Sequence, residues 1–412
     1  MPGHAPSALL GAAITPDPAK GPLLVAHLGG PKTGSSAIQA FCDHNRTALF
    51  RQHGILYPTL NPDRVPDTTP PDIPGDPNLE LPHHGAVIMG MQPDAQDDYL
   101  DRAVAVCRTH GAGILLLSLE APSLPDYADM VRRHGERTGL RAVAVCYVRR
   151  QDTWIEDAWK QWGLKYDQYP TPDAFAQALM DRALDDVFFR AAVSVLEQAW
   201  LNEVWNFMDS TDMVVRPYER SALQCGDVVA DLLGLLGVAS TAHLPLPPAT
   251  NFNTNHGFTP EAIKLLRTVR PMFDGVFDNG PYAMLYDALP RAASAPFAHV
   301  GLLSPGMRAR VLAHYAPYNE RLARRMPAAR GHGGGMLFRE APDPDAPWWP
   351  DRELTAQEVA TMLMQCVQRQ HVRIGELQER LERLERLERL ERLERLAGAW
   401  LVAPNSDENA PE

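Results

Sequence analysis

Short apolar runs recur along the 412-residue chain, and amphipathic stretches separate them. The runs lie at residues 23–28, 113–118, 142–148 and 212–218. An apolar run of this length without alternation is typical of a strand that is buried on both faces, as in a parallel sheet. We therefore predict a strand at each of the four positions.

The segments between these runs follow helical spacing. We predict helices at residues 35–52, 98–110, 152–165 and 191–208. Strands that alternate with helices indicate an α/β fold in which a parallel sheet carries helices on both faces. Ligands of such sheets bind beyond the carboxyl ends of the strands, where this chain places residues 29–36, Glu120 and Arg149.

The remaining segments suggest a domain organisation. Residues 1–20 are predicted to be a flexible leader and residues 21–345 the α/β domain. Within that domain, the Pro- and Asp-rich stretch at 59–82 is predicted to be an irregular lid or substrate loop. Residues 346–412 would form a C-terminal extension with a charged helix at about 372–397.

The C-terminal helix carries a Leu-Glu-Arg repeat. Apolar residues at 374, 377, 381 and 384 fit a coiled-coil seam, so the helix is a candidate for homo-oligomerisation. From Leu384 onward the leucines recur every third residue. With this spacing, each leucine is displaced by about 60° around the α-helix from the one before it, so the leucines form no straight seam.

Charge and composition exclude several classes. The formal net charge of −12 argues against non-specific nucleic-acid binding, which needs a basic face. The five cysteines are scattered without a CxxC pair, so we expect buried, reduced thiols rather than a zinc site or disulfides. We find neither a signal-peptide pattern nor an apolar stretch of roughly 18 residues, and therefore expect a cytoplasmic protein without a membrane span.

A glycine-rich turn follows the first predicted strand. The sequence HLGGPKTGSS at residues 27–36 places a lysine and two serines directly before a helix. Turns and helix N-termini of this kind present unpaired amide groups to anions, here those of residues 33–36. Lys32 precedes Gly34, whereas the nucleotide-binding P-loop has its lysine after the second glycine. The pattern predicts a phosphate cradle and argues against a P-loop kinase or NTPase.

This stretch resembles the start of bacterial sulfotransferase-like proteins. Their Pro-Lys-Thr/Ser-Gly-Ser/Thr-Ser/Thr loop is matched by Pro31, Lys32, Thr33, Gly34, Ser35 and Ser36. The resemblance recurs in order at residues 45–58, 115–120, 146–161, 214–223 and 318–325, and so covers roughly residues 22–340. It implies a P-loop-like sulfotransferase fold that uses 3′-phosphoadenosine 5′-phosphosulfate (PAPS) as donor to a hydroxyl acceptor in a glycan, lipid or small metabolite.

The resemblance also implies roles for residues. Lys32 would stabilise charge on the oxygen between phosphate and sulfate, and the amides of residues 33–36 would hold the 5′-phosphate. Arg149, with Arg150 beside it, matches the arginine that holds the 3′-phosphate. The serine that the family has eight residues later is replaced by Asp157, whose carboxylate repels a phosphate. Thr153 and Lys160 are candidate substitutes on the same predicted helix, and no metal is expected.

Three residues are candidates for the base that takes the acceptor's proton. His83 and His84 follow the Pro-rich stretch, and a histidine is a natural proton acceptor near neutral pH. Glu120 ends a buried strand, where desolvation raises the pKa of a carboxyl group. We favour Glu120. Asn253 and Asn255 are further candidates near the cofactor, whereas Trp154, Trp159 and Trp162 are assigned to the core and its rim.

A second hypothesis comes from a different class. The chain would be a non-catalytic relative that kept the cradle, lost the 3′-phosphate serine, and assembles through its C-terminal helix. Asp157 favours this alternative, and detectable PAPS binding would discriminate between the two.

Overall fold

The computed structural model describes residues 14, 16–59, 84–120, 124–184, 186–207, 212–247, 259–275, 278–285, 301–325, 336–342, 348 and 354–401. Two compact units are present. The first contains the described residues up to 260 and from 301 to 348, and the second those from 261 to 285 and from 354 to 401. The predicted lid at 59–82 lies outside the described residues except for Thr59.

The first unit is built on a five-stranded sheet. Its strands are β1 (Leu23–Gly29), β2 (Ile55–Leu56), β3 (Ile114–Glu120), β4 (Ala142–Val148) and β5 (Met213–Pro217). They lie in the order β2-β3-β1-β4-β5, and each pairing is parallel. The prediction of a parallel α/β sheet is confirmed. The strands β3 and β4 lie on opposite sides of β1, which makes the carboxyl end of β1 the position where ligands bind in such folds.

Helices surround the sheet and build the second unit. In chain order they are α1 (Ser35–His44), α2 (Arg46–His53), α3 (His84–Met89), α4 (Pro93–His110), α5 (Leu124–Thr138), α6 (Gln151–Gln161), α7 (Pro172–Asp181), α8 (Val187–Leu196), α9 (Ala199–Phe207), α10 (Val228–Leu235), α11 (Pro260–Thr268), α12 (Gly280–Leu285), α13 (Pro305–Arg325) and α14 (Ala356–Leu401). Short 3₁₀ turns lie at Pro18–Lys20, Gly163–Lys165, Gln224–Gly226 and Arg270–Met272.

Three predicted helices are each broken in two. The helix predicted at 35–52 becomes α1 and α2, because the Asn45 side chain donates to the carbonyls of Phe41 and Pro245, both at 3.0 Å. The helix predicted at 191–208 becomes α8 and α9, with Gln198 between them at φ 58°. The helix predicted at 152–165 ends at Gln161 and continues as a 3₁₀ turn. Apolar periodicity ran through all three breaks and did not reveal them.

The sheet is buried on both faces, as predicted. From β1, Leu24, Ala26 and Leu28 pack into a core that includes residues of α4, α5 and α9. Leu23 and Val25 point to the opposite face, into a core that includes residues of α1 and α10. Because both faces are covered, only the strand ends of β1 open toward a site.

A buried ion pair fixes α10 to the sheet. Arg216 of β5 donates to Asp231 of α10 through Nε at 3.0 Å and Nη2 at 2.5 Å. The Tyr147 hydroxyl, from β4, donates to the same carboxylate at 2.9 Å. Breaking a buried pair of this kind is costly because it leaves an uncompensated charge. The contacts of Asp231 therefore hold α10, which begins at Val228, against the sheet.

A second ion cluster fixes α6. Arg308 of α13 contacts Asp152 and Glu156 of α6, each at 2.5 Å. The amides of Leu302 and Leu303 also donate to Glu156, both at 2.9 Å. Both carboxylates are buried, and the charged and backbone donors that reach Asp152 and Glu156 Oε1 tie α6 to the chain before and within α13.

The second unit contains the long helix α14. Its large apolar side chains include several that are exposed, from Leu363 to Leu390. Residues of α11, α12 and α14 line an apolar groove of about 430 Å³. The sequence-based domain boundaries placed α11 and α12 in the α/β domain, whereas the contacts place them with α14.

Two further expectations concern the cysteines and membrane spans. All five cysteines are unpaired; four are buried, but Cys225 is exposed, so the expectation of burial is wrong there. Within the described ranges, no helix is both long and apolar enough to cross a membrane.

Candidate functional site

The turn between β1 and α1 lies at the carboxyl end of the central strand. Lys32 has φ 66° and Gly34 has φ 83°, so two residues of this turn adopt the left-handed conformation. A lysine in that region is uncommon and is strained unless its surroundings hold it there. The turn therefore depends on contacts made by its neighbours.

Three consecutive carbonyls of the turn accept hydrogen bonds from side chains. The Thr33 hydroxyl donates to the Gly30 carbonyl at 2.5 Å. The Trp154 indole donates to the Pro31 carbonyl at 2.7 Å, and Arg149 Nη1 donates to the Lys32 carbonyl at 2.8 Å. Trp154 belongs to α6 and Arg149 shortly precedes it, so the carbonyl side of the turn faces α6.

The amides of residues 33–36 are the backbone donors of the same turn. Among the residues that the structure describes, none accepts a hydrogen bond from the amides of residues 33–36. The first backbone bonds of α1 are those from Ala37 and Ile38 to the Gly34 carbonyl, at 3.0 and 3.1 Å. Left-handed turn residues followed by a helix N-terminus form a concave set of donors that suits a phosphate or sulfate group.

Two glycines allow α1 to begin this close to the sheet. A Cβ on Gly34 would lie 2.8 Å from Val228 Cγ1 and 3.1 Å from the Tyr218 ring. A Cβ on Gly29 would lie 1.9 Å from the Ser35 hydroxyl. Any side chain at either position would displace the turn, so both glycines are needed for the shape of the cradle.

Lys32 lies in a partly buried setting of mixed charge. Its ammonium is 5.3 Å from the centre of the Trp162 ring, a distance that suits a cation–π contact. Burial lowers the pKa of Lys32 to about 8, against the opposite effect of the carboxylates of Asp157 and Glu120. The lysine is therefore a cation at pH 7 that titrates in the mildly alkaline range.

Glu120 is the candidate base that the structure places beside Lys32. It ends β3 and lies level with Gly29 of β1 in the parallel register. Burial raises the pKa of Glu120, and the charge of Lys32 opposes that rise. A carboxylate with a raised pKa near a cation has the properties of a general base. His83 lies outside the described residues, and His84 begins α3 without a described side chain.

Arg149 and Asp157, expected at the cofactor, form an ion pair. Arg149 Nη2 lies 2.7 Å from Asp157 Oδ2, and Arg149 Nε donates to the Thr153 hydroxyl at 3.1 Å. The second Asp157 oxygen lies 2.9 Å from the Lys160 ammonium. Asp157 is therefore held between two cations close to Lys32, and the structure brings Arg149, Thr153, Asp157 and Lys160 together.

Arg150 faces a different part of the molecule. Its guanidinium contacts Asp152 at 2.7 Å and also donates to the Glu340 carbonyl. The buried pair with Asp152 gives Arg150 a structural role in joining α6 to residues 336–342. The Ser35 side chain is buried, whereas Ser36 is half-buried at the N-terminus of α1.

Three residues of the site were not predicted from the sequence. Trp154 and Trp162 were assigned to the core and rim, yet they contact Pro31 and Lys32. Tyr218 packs against Gly34, and its ring centre lies 5.5 Å from the Arg149 guanidinium. The available signal was position, since Tyr218 directly follows β5 and Trp154 is five residues beyond Arg149. Asn253 and Asn255 lie outside the described residues.

Comparisons with family models, with curated proteins and with solved structures found no match. In the described part of the chain, no group of three or more His, Cys, Asp or Glu side chains is arranged to hold a metal ion. The geometry of the cradle and its charged surroundings therefore carries the functional interpretation.

We expect Gly34→Ala to destabilise the fold more than a matched glycine substitution. Gly111 has φ 73°, and no atom lies within 4 Å of the place that a Cβ would take, so Gly111→Ala adds only backbone strain, about 1 kcal/mol. Gly34→Ala adds the overlap with Val228 and Tyr218, a further ~1–3 kcal/mol. Urea unfolding measures both changes, and equal losses would show that the turn accommodates a side chain.

We also expect anion binding at the cradle to weaken as the pH rises through about 8, the pKa of Lys32. A bound anion favours the charged ammonium, so affinity follows the protonated fraction in the free protein and falls roughly tenfold between about pH 7 and 9. Calorimetric titration with adenosine 5′-monophosphate measures the profile. Lys32→Arg stays charged and should give a flat profile; the same decline in this variant would rule out Lys32 as its source.

Proposed function

We propose that the chain is a sulfotransferase of the P-loop-like sulfotransferase fold. It transfers the sulfuryl group of PAPS to a hydroxyl of a glycan, lipid or small metabolite. The observation that carries the proposal is the hydrogen bonding of the turn after β1: side chains take up the carbonyls of residues 30–32, and no described residue accepts a hydrogen bond from the amides of residues 33–36. Donors so arranged suit the 5′-phosphosulfate of the donor.

Sulfuryl transfer makes modest demands on the protein, as phosphoryl transfer does. The acceptor oxygen forms a bond to sulfur while the bond between sulfur and the bridging oxygen breaks, and the electron pair stays on the phosphate. Positioning and charge stabilisation supply most of the catalysis. The cradle contributes the positioning, and the Lys32 ammonium stabilises the charge that develops on the bridging oxygen.

Glu120 takes the proton that the acceptor hydroxyl loses. The glutamate ends the strand next to β1, and burial raises its pKa toward the range in which a carboxylate accepts a proton efficiently. Lys32 opposes that shift, so the two groups hold each other in their charged forms until the acceptor arrives. Lys32, in the turn after β1, can thus serve the leaving oxygen, and Glu120, at the end of the adjacent strand β3, can serve the attacking oxygen.

Calorimetric titration with adenosine 3′,5′-bisphosphate, the product nucleotide, tests the proposal. We expect saturable binding that Lys32→Ala weakens at least roughly tenfold, since it removes the ammonium of the turn. Lys20→Ala is the matched control, because Lys20 is exposed and precedes the amino end of the same strand. Binding that is absent, or equal in the two variants, would contradict the proposal.

Assembly through α14, which is one element of the non-catalytic alternative, has support of its own. Leu363, Val367, Ile374, Leu377, Leu381 and Leu384 follow the spacing of a coiled-coil seam, and each is between 42% and 61% exposed. In a parallel pair of helices, Arg380 of one copy would face Glu385 of the other across this seam. We propose that the chain forms homodimers through this helix, whether or not it is an enzyme.

We expect Leu377→Glu/Leu381→Glu to convert a dimer into a monomer in sedimentation equilibrium, since four buried apolar side chains become charged in the pair. The control is Leu387→Glu/Leu390→Glu, which makes the same change at 49% and 51% exposed leucines beyond the seam. A wild-type monomer, or equal dissociation of both variants, would contradict assembly through the seam.

A further inference from the structure

Arg149 is extensively hydrogen-bonded within the protein. Its Nε donates to Thr153 at 3.1 Å, Nη1 to the Lys32 carbonyl at 2.8 Å, and Nη2 to Asp157 at 2.7 Å. Its side chain is only 8% exposed. The contacts to Thr153 and to the Lys32 carbonyl position the guanidinium relative to the cradle. The third contact directs Nη2 at the carboxylate of Asp157.

Asp157 occupies the position of an anion between two cations. One carboxylate oxygen contacts Arg149, and the other contacts Lys160 at 2.9 Å. An arginine edge and a lysine ammonium at such distances are the usual ligands of a phosphate group. Asp157 and Lys160 both belong to α6, and Asp157 lies one turn before the end of that helix.

The proposed function, together with the location of this anion position, gives it a ligand class. Arg149 contacts the Lys32 carbonyl, so the position adjoins the cradle. A ligand that spans both would carry two separated phosphate groups, one on the cradle amides and one on Arg149 and Lys160. Nucleotides phosphorylated at both the 5′ and 3′ positions belong to this class.

We propose that Asp157 is an internal anion that occupies the second phosphate position and must leave Arg149 before a 3′-phosphate binds. Asp157 thereby lowers affinity for 3′-phosphorylated nucleotides without lowering affinity for those with a 5′-phosphate alone. This inference rests on the proposed function, and it adds a specificity-determining residue to that site.

Charge balance supports the proposal. Arg149 and Lys160 each carry a positive charge, and a 3′-phosphate of nearly two negative charges would balance the pair. The Asp157 carboxylate adds a further negative charge at the same position, and like charges in contact disfavour binding strongly. Asp157 is 27% exposed, so its side chain can turn toward solvent without moving α6.

A purely structural ion pair predicts the opposite sign. If Asp157 served only to orient Arg149, its removal would loosen the guanidinium and weaken phosphate binding. Thr153 and the Lys32 carbonyl still hold Arg149 when Asp157 is replaced, and Nη2 then becomes a donor for the ligand. The sign of the change in affinity therefore separates the two roles.

The test is calorimetric titration of the full chain and of Asp157→Ser with adenosine 3′,5′-bisphosphate and, separately, with adenosine 5′-monophosphate. We expect Asp157→Ser to raise affinity for the bisphosphate at least roughly tenfold and to change affinity for the monophosphate less than about threefold. Asp157→Asn keeps the shape of the side chain and loses its charge, so it should also raise the affinity for the bisphosphate. Asp98→Ser removes an exposed carboxylate from α4 and controls for net charge.

Each result decides between the two proposals. Unchanged or weaker bisphosphate binding in Asp157→Ser, with monophosphate binding that still depends on Lys32, would overturn the role of Asp157 and leave the sulfotransferase proposal intact. An equal gain in Asp98→Ser would also overturn it, as a general charge effect. Failure of every variant to bind either nucleotide, with melting temperatures unchanged, would overturn both proposals.

Discussion

Two hydrogen bonds from one side of the molecule orient the turn on which the site depends. Trp154 donates to the Pro31 carbonyl and Arg149 to the Lys32 carbonyl, and both donors are largely buried. Each bond contributes about 1 kcal/mol or somewhat more, comparable to the strain of the left-handed Lys32 that it holds in place. The two bonds also fix the N–H groups of Lys32 and Thr33, because a peptide unit whose carbonyl is fixed has its N–H fixed on the opposite side. The conformation of the turn thus depends on Arg149 and on Trp154 of α6 as well as on its own residues.

The position of α6 depends in turn on residues far along the chain. Arg308 contacts the buried carboxylates of Asp152 and Glu156, and the amides of Leu302 and Leu303 donate to Glu156 Oε1. A buried carboxylate without these partners would be costly, so the segment before α13 is needed for α6 to keep its place. The cradle is therefore stabilised through a series of polar contacts whose last members, such as Leu302, lie 146 residues beyond Glu156 in the sequence.

The strands could be predicted from the sequence because both faces of the sheet are buried, and this makes each strand a continuous apolar run. The two-residue β2 carried no such pattern, and Asn45 and Gln198 broke helices whose apolar periodicity continued across them. At the candidate site, the predicted strand ends gave the location of Glu120 and Arg149 beside the turn, while their roles stay predictions. Position did not reveal that Arg150 turns to Asp152 and Glu340, because neighbouring residues share a location in sequence but point in different directions.

The acidic character of the whole chain does not prevent an anion site, because local charge outweighs net charge at short range. Lys32, Arg149 and Lys160 face Glu120 and Asp157, so cations outnumber carboxylates among these five side chains. The low pKa of Lys32 reflects its burial, and the two carboxylates keep it protonated at neutral pH. Exchange of the Asp157 carboxylate for a ligand phosphate would increase the negative charge near Lys32 and so strengthen its protonation in the complex. The internal carboxylate thus maintains the charge of the cradle while no ligand is bound, at the expense of affinity for a second phosphate.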